Sequence, residues 1–167
     1  MTRSMVDAPR FHHWLDRMLG ELLDGPPKDA AFVLNPGDRG LLHALDQLSA
    51  STASMVPAGG TSSIAAHVDH LRYGLNLLNR WIRGEQPFSD ADYAASWSRT
   101  RVTEDEWSRL RSELRREALA WRQVLREPRE LDDMELGGVL SSVVHLAYHF
   151  GAIRQMDRTS RGPRAAD

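Results

Sequence analysis

Seven histidines and no cysteine make imidazole the side chain with the most chemistry to offer in this chain of 167 residues. His145 and His149 are four apart, so on a helix both rings leave one face about one turn from each other. Two ring nitrogens so placed can meet one cation at about 2.0–2.1 Å, as in other helical two-histidine metal motifs. The same stripe carries Gly138, Ser141, Ser142 and Ala152, small residues where a core helix would normally carry Leu or Val. A second cluster, His67 and His70, shares a helical face with Gly74, Leu77 and Trp81. Such pairs also arise as ordinary core histidines, but burying imidazoles without partners costs about 1–3 kcal/mol per unsatisfied group. One metal ion between neighbouring helices accounts for both clusters. A ligating imidazole must be neutral, so binding is expected to weaken below about pH 6. His12 and His13 point to different sides of a helix and read as surface residues. His43 stands alone and reads as exposed or satisfied.

Several other chemistries are excluded. Without cysteine there is no disulfide, thiolate ligand or cysteine nucleophile. A carboxylate-bridged di-iron bundle needs Glu-x-x-His on two helices, and no histidine here has Glu or Asp three residues before it. The 21 Lys and Arg against 23 Asp and Glu give a net charge of −2, which disfavours a nucleic-acid surface. All the basic residues but Lys28 are arginine, which reads as compositional bias. At 41% hydrophobic and 26% charged the chain is globular rather than disordered. No secretory signal is expected at residues 1–10. Residues 136–153 lack any charged side chain, but two histidines, two serines and three glycines make a poor membrane span. They read instead as a helix buried on all sides inside a bundle, with no membrane partner.

The elements that must position these residues are helices; no strand-period segment competes. Asp7 and Pro9 open the first, Phe11, Trp14, Leu15, Met18, Leu19, Leu22 and Leu23 give its period, and Gly25-Pro26-Pro27 stops it. Asp38 is the expected N-cap of a second helix with Leu41, Leu45, Leu48, Thr52 and Met55 on one stripe. Pro57 to Gly60 breaks the chain, and Ser62 or Ser63 opens a third helix ending near Arg83, with Gly84 as C-cap. Residues 85–100 read as a long connection. Thr103 and Glu106 fit a capping box before the apolar stripe Trp107, Leu110, Leu114, Trp121 and Leu125. Pro128 ends that helix, and the last runs from Asp132 or Asp133 to about Arg158. The reading is all-α: a four-helix bundle with one long crossover connection and an additional N-terminal helix packed outside. Residues 1–37 hold that helix and a connector, 38–158 the bundle, and 159–167 a flexible tail.

The run Ser63-Ile64-Ala65-Ala66-His67-Val68-Asp69-His70-Leu71 resembles the second-helix motif of the DinB-like superfamily. The run His145-Leu146-Ala147-Tyr148-His149-Phe150-Gly151-Ala152-Ile153 resembles its fourth-helix motif, His-x-x-x-His-x-Gly-Gln-Ile. The resemblance covers roughly residues 38–158 and implies a four-helix bundle, often dimeric, holding a divalent metal on three histidines. Carried over residue by residue, the metal ligands are His70, His145 and His149. Ala152 stands where the family pattern has Gln. His67 is an extra histidine one turn before His70, expected to support the ligands or to replace one. Tyr148, beside His149, is a further candidate for a supporting role, although it lies about a hundred degrees round the helix.

Characterised members of the family include metal-dependent S-transferases that use bacillithiol or mycothiol, and mycothiol-dependent isomerases. The resemblance therefore implies a metal-dependent transferase that activates a low-molecular-weight thiol, or a hydrolase that activates water. Zinc or nickel is the expected ion, and a small-molecule thiol or electrophile the expected partner. A cytoplasmic homodimer is the expected setting. The alternative is a non-catalytic, stress-related metal- or ligand-binding bundle.

Overall fold

The structure is a computed structural model that describes residues 7–28 and 30–157. The tail at 159–167, with Arg158, lies outside the described residues. Those described form six α-helices and no strand: α1 Ala8–Asp24, α2 Leu41–Asp46, α3 Ala50–Ala53, α4 Ile64–Trp81, α5 Glu104–Arg126 and α6 Asp133–Met156. A single 3-10 turn, Ala95–Trp97, interrupts the connection between α4 and α5.

Local sequence explains most of the helix starts. Asp7 accepts from the Arg10 N–H and Ser63 from the Ala66 N–H, each satisfying an otherwise unpaired donor of the first turn. The expected capping box of Thr103 with Glu106 opens α5, and a second, Asp132 with Glu135, opens α6. The third helix expected from the sequence is α4, and Gly84 beyond its end has the left-handed φ of 88°.

The expected second helix is not continuous. The chain leaves helix at Gln47 and restarts at Ser49, whose hydroxyl accepts from the Thr52 N–H at 3.2 Å. Breaking there frees backbone groups that α5 then satisfies. The Leu48 carbonyl accepts from the Trp107 indole N–H at 2.8 Å, and Glu104 accepts from the Ala50 N–H at 2.9 Å. Leu41, Leu45 and Leu48 are buried as the stripe required, whereas Met55 is exposed. Asp38 does not cap this segment. It pairs with Arg154 of α6 at 2.8 Å, and Gly40 takes the cap position. A side chain at Gly40 would run into the backbone of Leu23 and Gly25, so the close approach of α1 and α2 requires glycine there.

Because α2 and α3 are short, the long members of the bundle are α1, α4, α5 and α6. Around the bundle α4 neighbours α5 and α6, and α1 closes the ring against the other sides of α5 and α6. The additional N-terminal helix is therefore inside the bundle rather than outside it. Its Leu15, Leu19, Leu22 and Leu23 are buried, and so is His12, which the sequence placed on the surface. His12 Nδ1 lies 3.1 Å from the Leu125 carbonyl, one of the acceptors that the C-terminus of α5 leaves open. Glu21, also buried, accepts the N–H groups of Phe32, Val33 and Leu34 at 2.7–3.0 Å and so ties the connector to α1. Burial alone would raise its pKa, but the three N–H groups of Leu34, Val33 and Phe32 hold it below the usual carboxylate value.

Helix α6 is long and apolar enough, by length and composition, to cross a membrane, but 39% of that window is buried in the bundle. Val139, Val143, Leu146, Phe150 and Ile153 face the core. Met134, Leu140, Val144 and Tyr148 are exposed, so α6 is not buried on all sides as its sequence suggested.

Trp107, Leu110, Leu114 and Trp121 of α5 are fully buried. Leu114→Ala is expected to cost about 2–5 kcal/mol in denaturant unfolding, the range for a large-to-small core change. Thr103→Ala should cost about 1 kcal/mol through the lost cap. A Leu114→Ala loss under about half a kcal/mol would contradict the packing of α5.

Candidate metal centre

The site stands between α4 and α6. His67 and His70 lie one turn apart on α4, and His145 and His149 lie one turn apart on α6. His70 meets His145 and His149 at one level while Trp81 meets Gly138 at another, so the two helices run antiparallel. Ring centroids are 5.2 Å apart for His70 and His145, 5.0 Å for His70 and His149, and 4.4 Å for His145 and His149. One nitrogen from each of these three rings lies within 4.8 Å of the others. An ion bonded to each at about 2.0–2.1 Å needs them roughly 3.3 Å apart, a difference that small ring rotations cover. The three residues therefore fit a divalent metal.

Hydrogen bonds fix which nitrogens point inwards. His70 Nδ1 is 2.8 Å from the Ser96 hydroxyl, which in turn donates to the Tyr93 carbonyl at 2.6 Å. With the Ser96 proton committed to that carbonyl, His70 carries its proton on Nδ1 and keeps Nε2 as a bare acceptor. His149 Nδ1 is 2.8 Å from His67 Nδ1, so one of these two nitrogens donates and the other accepts. Donation from His149 leaves its Nε2 bare as well. Ligating histidines commonly have their other ring nitrogen held this way, which sets tautomer and orientation. His67 thus sits behind His149, one ring further from the three converging nitrogens.

Trp97 completes the site from a segment that no sequence pattern singled out. Trp97, from the 3-10 turn in the crossover, stacks on His70 with centroids 4.3 Å apart and an interplanar angle of 23°. Its edge also meets His67 at 5.0 Å. Asp92 accepts from the Ala95 N–H, and Tyr73 of α4 accepts from the Asp92 N–H, which anchors this turn to the bundle. Residues 85–100 carry no helical or strand period. Beyond its single tryptophan, the segment carries no local signal of a site.

The remaining histidines and the polar residues beside the cluster in sequence lie outside it. Asp69 turns away from it and pairs with Arg72 at 2.7 Å and Arg99 at 3.3 Å. Tyr148 is 70% exposed, its ring centroid 5.0 Å from that of His149 in an edge-to-face arrangement. His13 and His43 are exposed and distant.

Burial dominates the electrostatics. It lowers the pKa of His67 and His145, and pushes His70 down to about 4 and His149 to about 3, with the neighbouring imidazoles adding to the last two. At neutral pH the cluster is uncharged and ready to coordinate. Protonation of His70 and His149 consequently begins well below the pH 6 expected from an ordinary imidazole.

A family model of the DinB superfamily matches residues 37–152, most of the bundle and all four clustered histidines. The chain belongs to the DinB superfamily. No curated protein and no solved structure matches it. Membership in the DinB superfamily agrees with the helical bundle and with a three-histidine group able to hold a metal ion. The match begins at residue 37, so α1, which completes the core, is an element outside it.

The depressed histidines set a pH window for the metal-free protein. Unfolded histidines bind protons near pH 6.5, whereas His70 and His149 in the fold do so only near 4 and 3. Below pH 6.5 the unfolded state therefore holds more protons, and stability falls with pH. Denaturant midpoints of chelator-treated protein should be flat from pH 8 to about 7 and drop steadily between about 6.5 and 4. A profile level down to pH 5 would show that these imidazoles are solvated.

Proposed function

We propose that the protein is a metal-dependent transferase that activates a low-molecular-weight thiol at a three-histidine centre, with hydrolysis by activated water as the close variant. The observation that carries this is the convergence of His70, His145 and His149, whose nitrogens lie within 4.8 Å while His145 stays exposed on one side. Three neutral protein ligands with one open side are the pattern of a catalytic centre; structural sites are closed. When bound there, a divalent ion, zinc or nickel, acts as a Lewis acid and lowers the pKa of a thiol or water it holds. The chain has no cysteine, so the sulfur must come with a cosubstrate.

The protein's own contribution is orientation and exclusion of water. Ser96 fixes the His70 ring, His67 fixes that of His149, and Trp97 packs against His70, His67 and His149. A cytoplasmic setting, where small thiols stay reduced, belongs to the same proposal. So does a homodimer, for which the exposed stripe Leu136, Leu140 and Val144 on α6 offers an apolar surface.

A non-catalytic metal-binding bundle is favoured by one observation. Asp69, the carboxylate next in sequence to a ligand, is committed to Arg72 and Arg99 and offers no free base. Turnover of a model electrophile with added thiol and metal separates the two readings, since only the transferase gives product.

The ligand assignment predicts a pattern among four single variants prepared identically without a histidine tag. His70→Ala, His145→Ala and His149→Ala should each lose most of the bound metal. His67→Ala should keep the metal, with affinity weakened about 10–100-fold, as for changes behind a ligand. Metal content per chain is the measurement. Loss in the His67 variant with retention in the His70 variant would shift the assignment by one helical turn, and equal content in all four would end it.

A further inference from the structure

A cavity of about 550 Å³ opens beside His145, within the size range of small-molecule sites. It is a trough between α4 and α6, walled by Leu71, Leu75 and Leu78 on one side and flanked by Trp81, Phe88 and Tyr93. Its length follows from α6. Asp133 marks one end and His145 the other, and twelve residues at 1.5 Å rise make about 18 Å. The trough exists because its floor lacks side chains. A Cβ added at Gly74 or Gly137 would meet nothing within 4 Å, while one at Gly138 would strike the Trp81 ring at 2.8 Å.

Beyond the Tyr93 hydroxyl and the His145 ring, the lining offers an occupant few polar partners. Ser141 donates to the Gly138 carbonyl at 3.1 Å. Ser142 donates to the Val139 carbonyl at 2.7 Å and accepts from the Trp121 indole N–H at 2.8 Å. No Lys or Arg lines the trough, and the single carboxylate, Asp133, repels an anion at the far end. A hydrophilic thiol would leave its polar groups unpaired against such walls. An apolar molecule would cover the leucines and the exposed Phe88 and Tyr93.

We infer that this trough binds the body of the electrophile, and that this body is elongated, apolar and free of negative charge, with its reactive end at His145. Aryl and medium-chain alkyl compounds meet that description; phosphorylated or polycarboxylate ones do not. The inference rests on the metal-centred reading above for which end reacts, and on the cavity alone for what binds.

The test uses alkyl hydroxamic acids as probes, from acetyl through butyryl and hexanoyl to octanoyl, titrated calorimetrically into metal-loaded and metal-free protein. Affinity should rise about fourfold per added methylene in the loaded protein, the value for moving one methylene out of water. The metal-free protein should keep this dependence on length with weaker binding throughout. Gly74→Leu and Gly137→Leu fill the trough without displacing backbone, and both should flatten the dependence while leaving acetohydroxamate unchanged. The octanoyl analogue bearing a terminal carboxylate should bind more weakly than octanoyl hydroxamate. Affinity independent of chain length, a slope unchanged in both glycine variants, or equal binding of the carboxylate analogue would each overturn the assignment. Should the slope persist while metal adds nothing to acetohydroxamate binding, the trough stands and the metal-centred reading is the one that fails.

Discussion

Four imidazoles from two antiparallel helices crowd one another, three of them buried and His145 open on one side, and the surroundings keep them neutral. Desolvation penalises the first positive charge and mutual repulsion penalises the second, so protonation is suppressed well below its usual pH. The cost of hiding so many polar rings is limited by giving them each other, Ser96 and Trp97 as partners. What remains unsatisfied among these nitrogens is the acceptor set that a cation would take up. Burial that is unfavourable for an isolated histidine here holds the rings in the neutral form that a metal would require.

The rest of the bundle holds α4 and α6 at the right separation and phase. Two buried tryptophans on α5 fasten it to its neighbours, Trp107 through the Leu48 carbonyl and Trp121 through the Ser142 hydroxyl, the latter on the cavity side of α6. Asn79 of α4 donates to both the backbone and the side chain of Glu117, so α4 is pinned to α5 near its C-terminal end as well. On the outer surface Asp16 gathers Arg122 and Arg126, and Asp46 gathers Arg111 and Arg115. These partly exposed pairs add little stability singly, but they fix the rotation of α5 against α1 and α2.

Much of this was legible in the sequence because helical signals are local. Caps at Asp7, Ser63, Thr103 and Asp132 announce themselves through side-chain chemistry, and the α5 stripe announces its buried face. The His145–His149 spacing also reports a shared face without any knowledge of the fold. What was not legible depends on tertiary competition. The Leu41-to-Met55 stripe has a helical period, yet bonds from Trp107 and Glu104, more than fifty residues away, favour a break at Ser49. His12 looks like one of two surface histidines until α5 arrives to offer its last carbonyls. Trp97 and Ser96 lie in a segment without period, and only the crossover brings them to the histidines. The position of α1 likewise followed from the shortness of α2 and α3 rather than from any property of α1.

The crossover between α4 and α5 also bears on how the chain reaches this structure. Ser63 at the start of α4 meets Thr100 just before α5, and Asn79 near the end of α4 meets Glu117 well along α5. The two helices thus run parallel, and residues 82–103 must return the full length of α4 before α5 can dock. Closing such a loop costs entropy before any contact across it forms, unlike the short turns of an up-and-down bundle. His67 and His149 are 82 residues apart in the chain, and the Trp97 wall is laid down by the returning segment itself. The centre therefore depends on contacts distant in sequence rather than on any local element. A site drawn from both helices and the returning segment is complete only when all three are in place, and anything bound there favours the folded chain over the unfolded one.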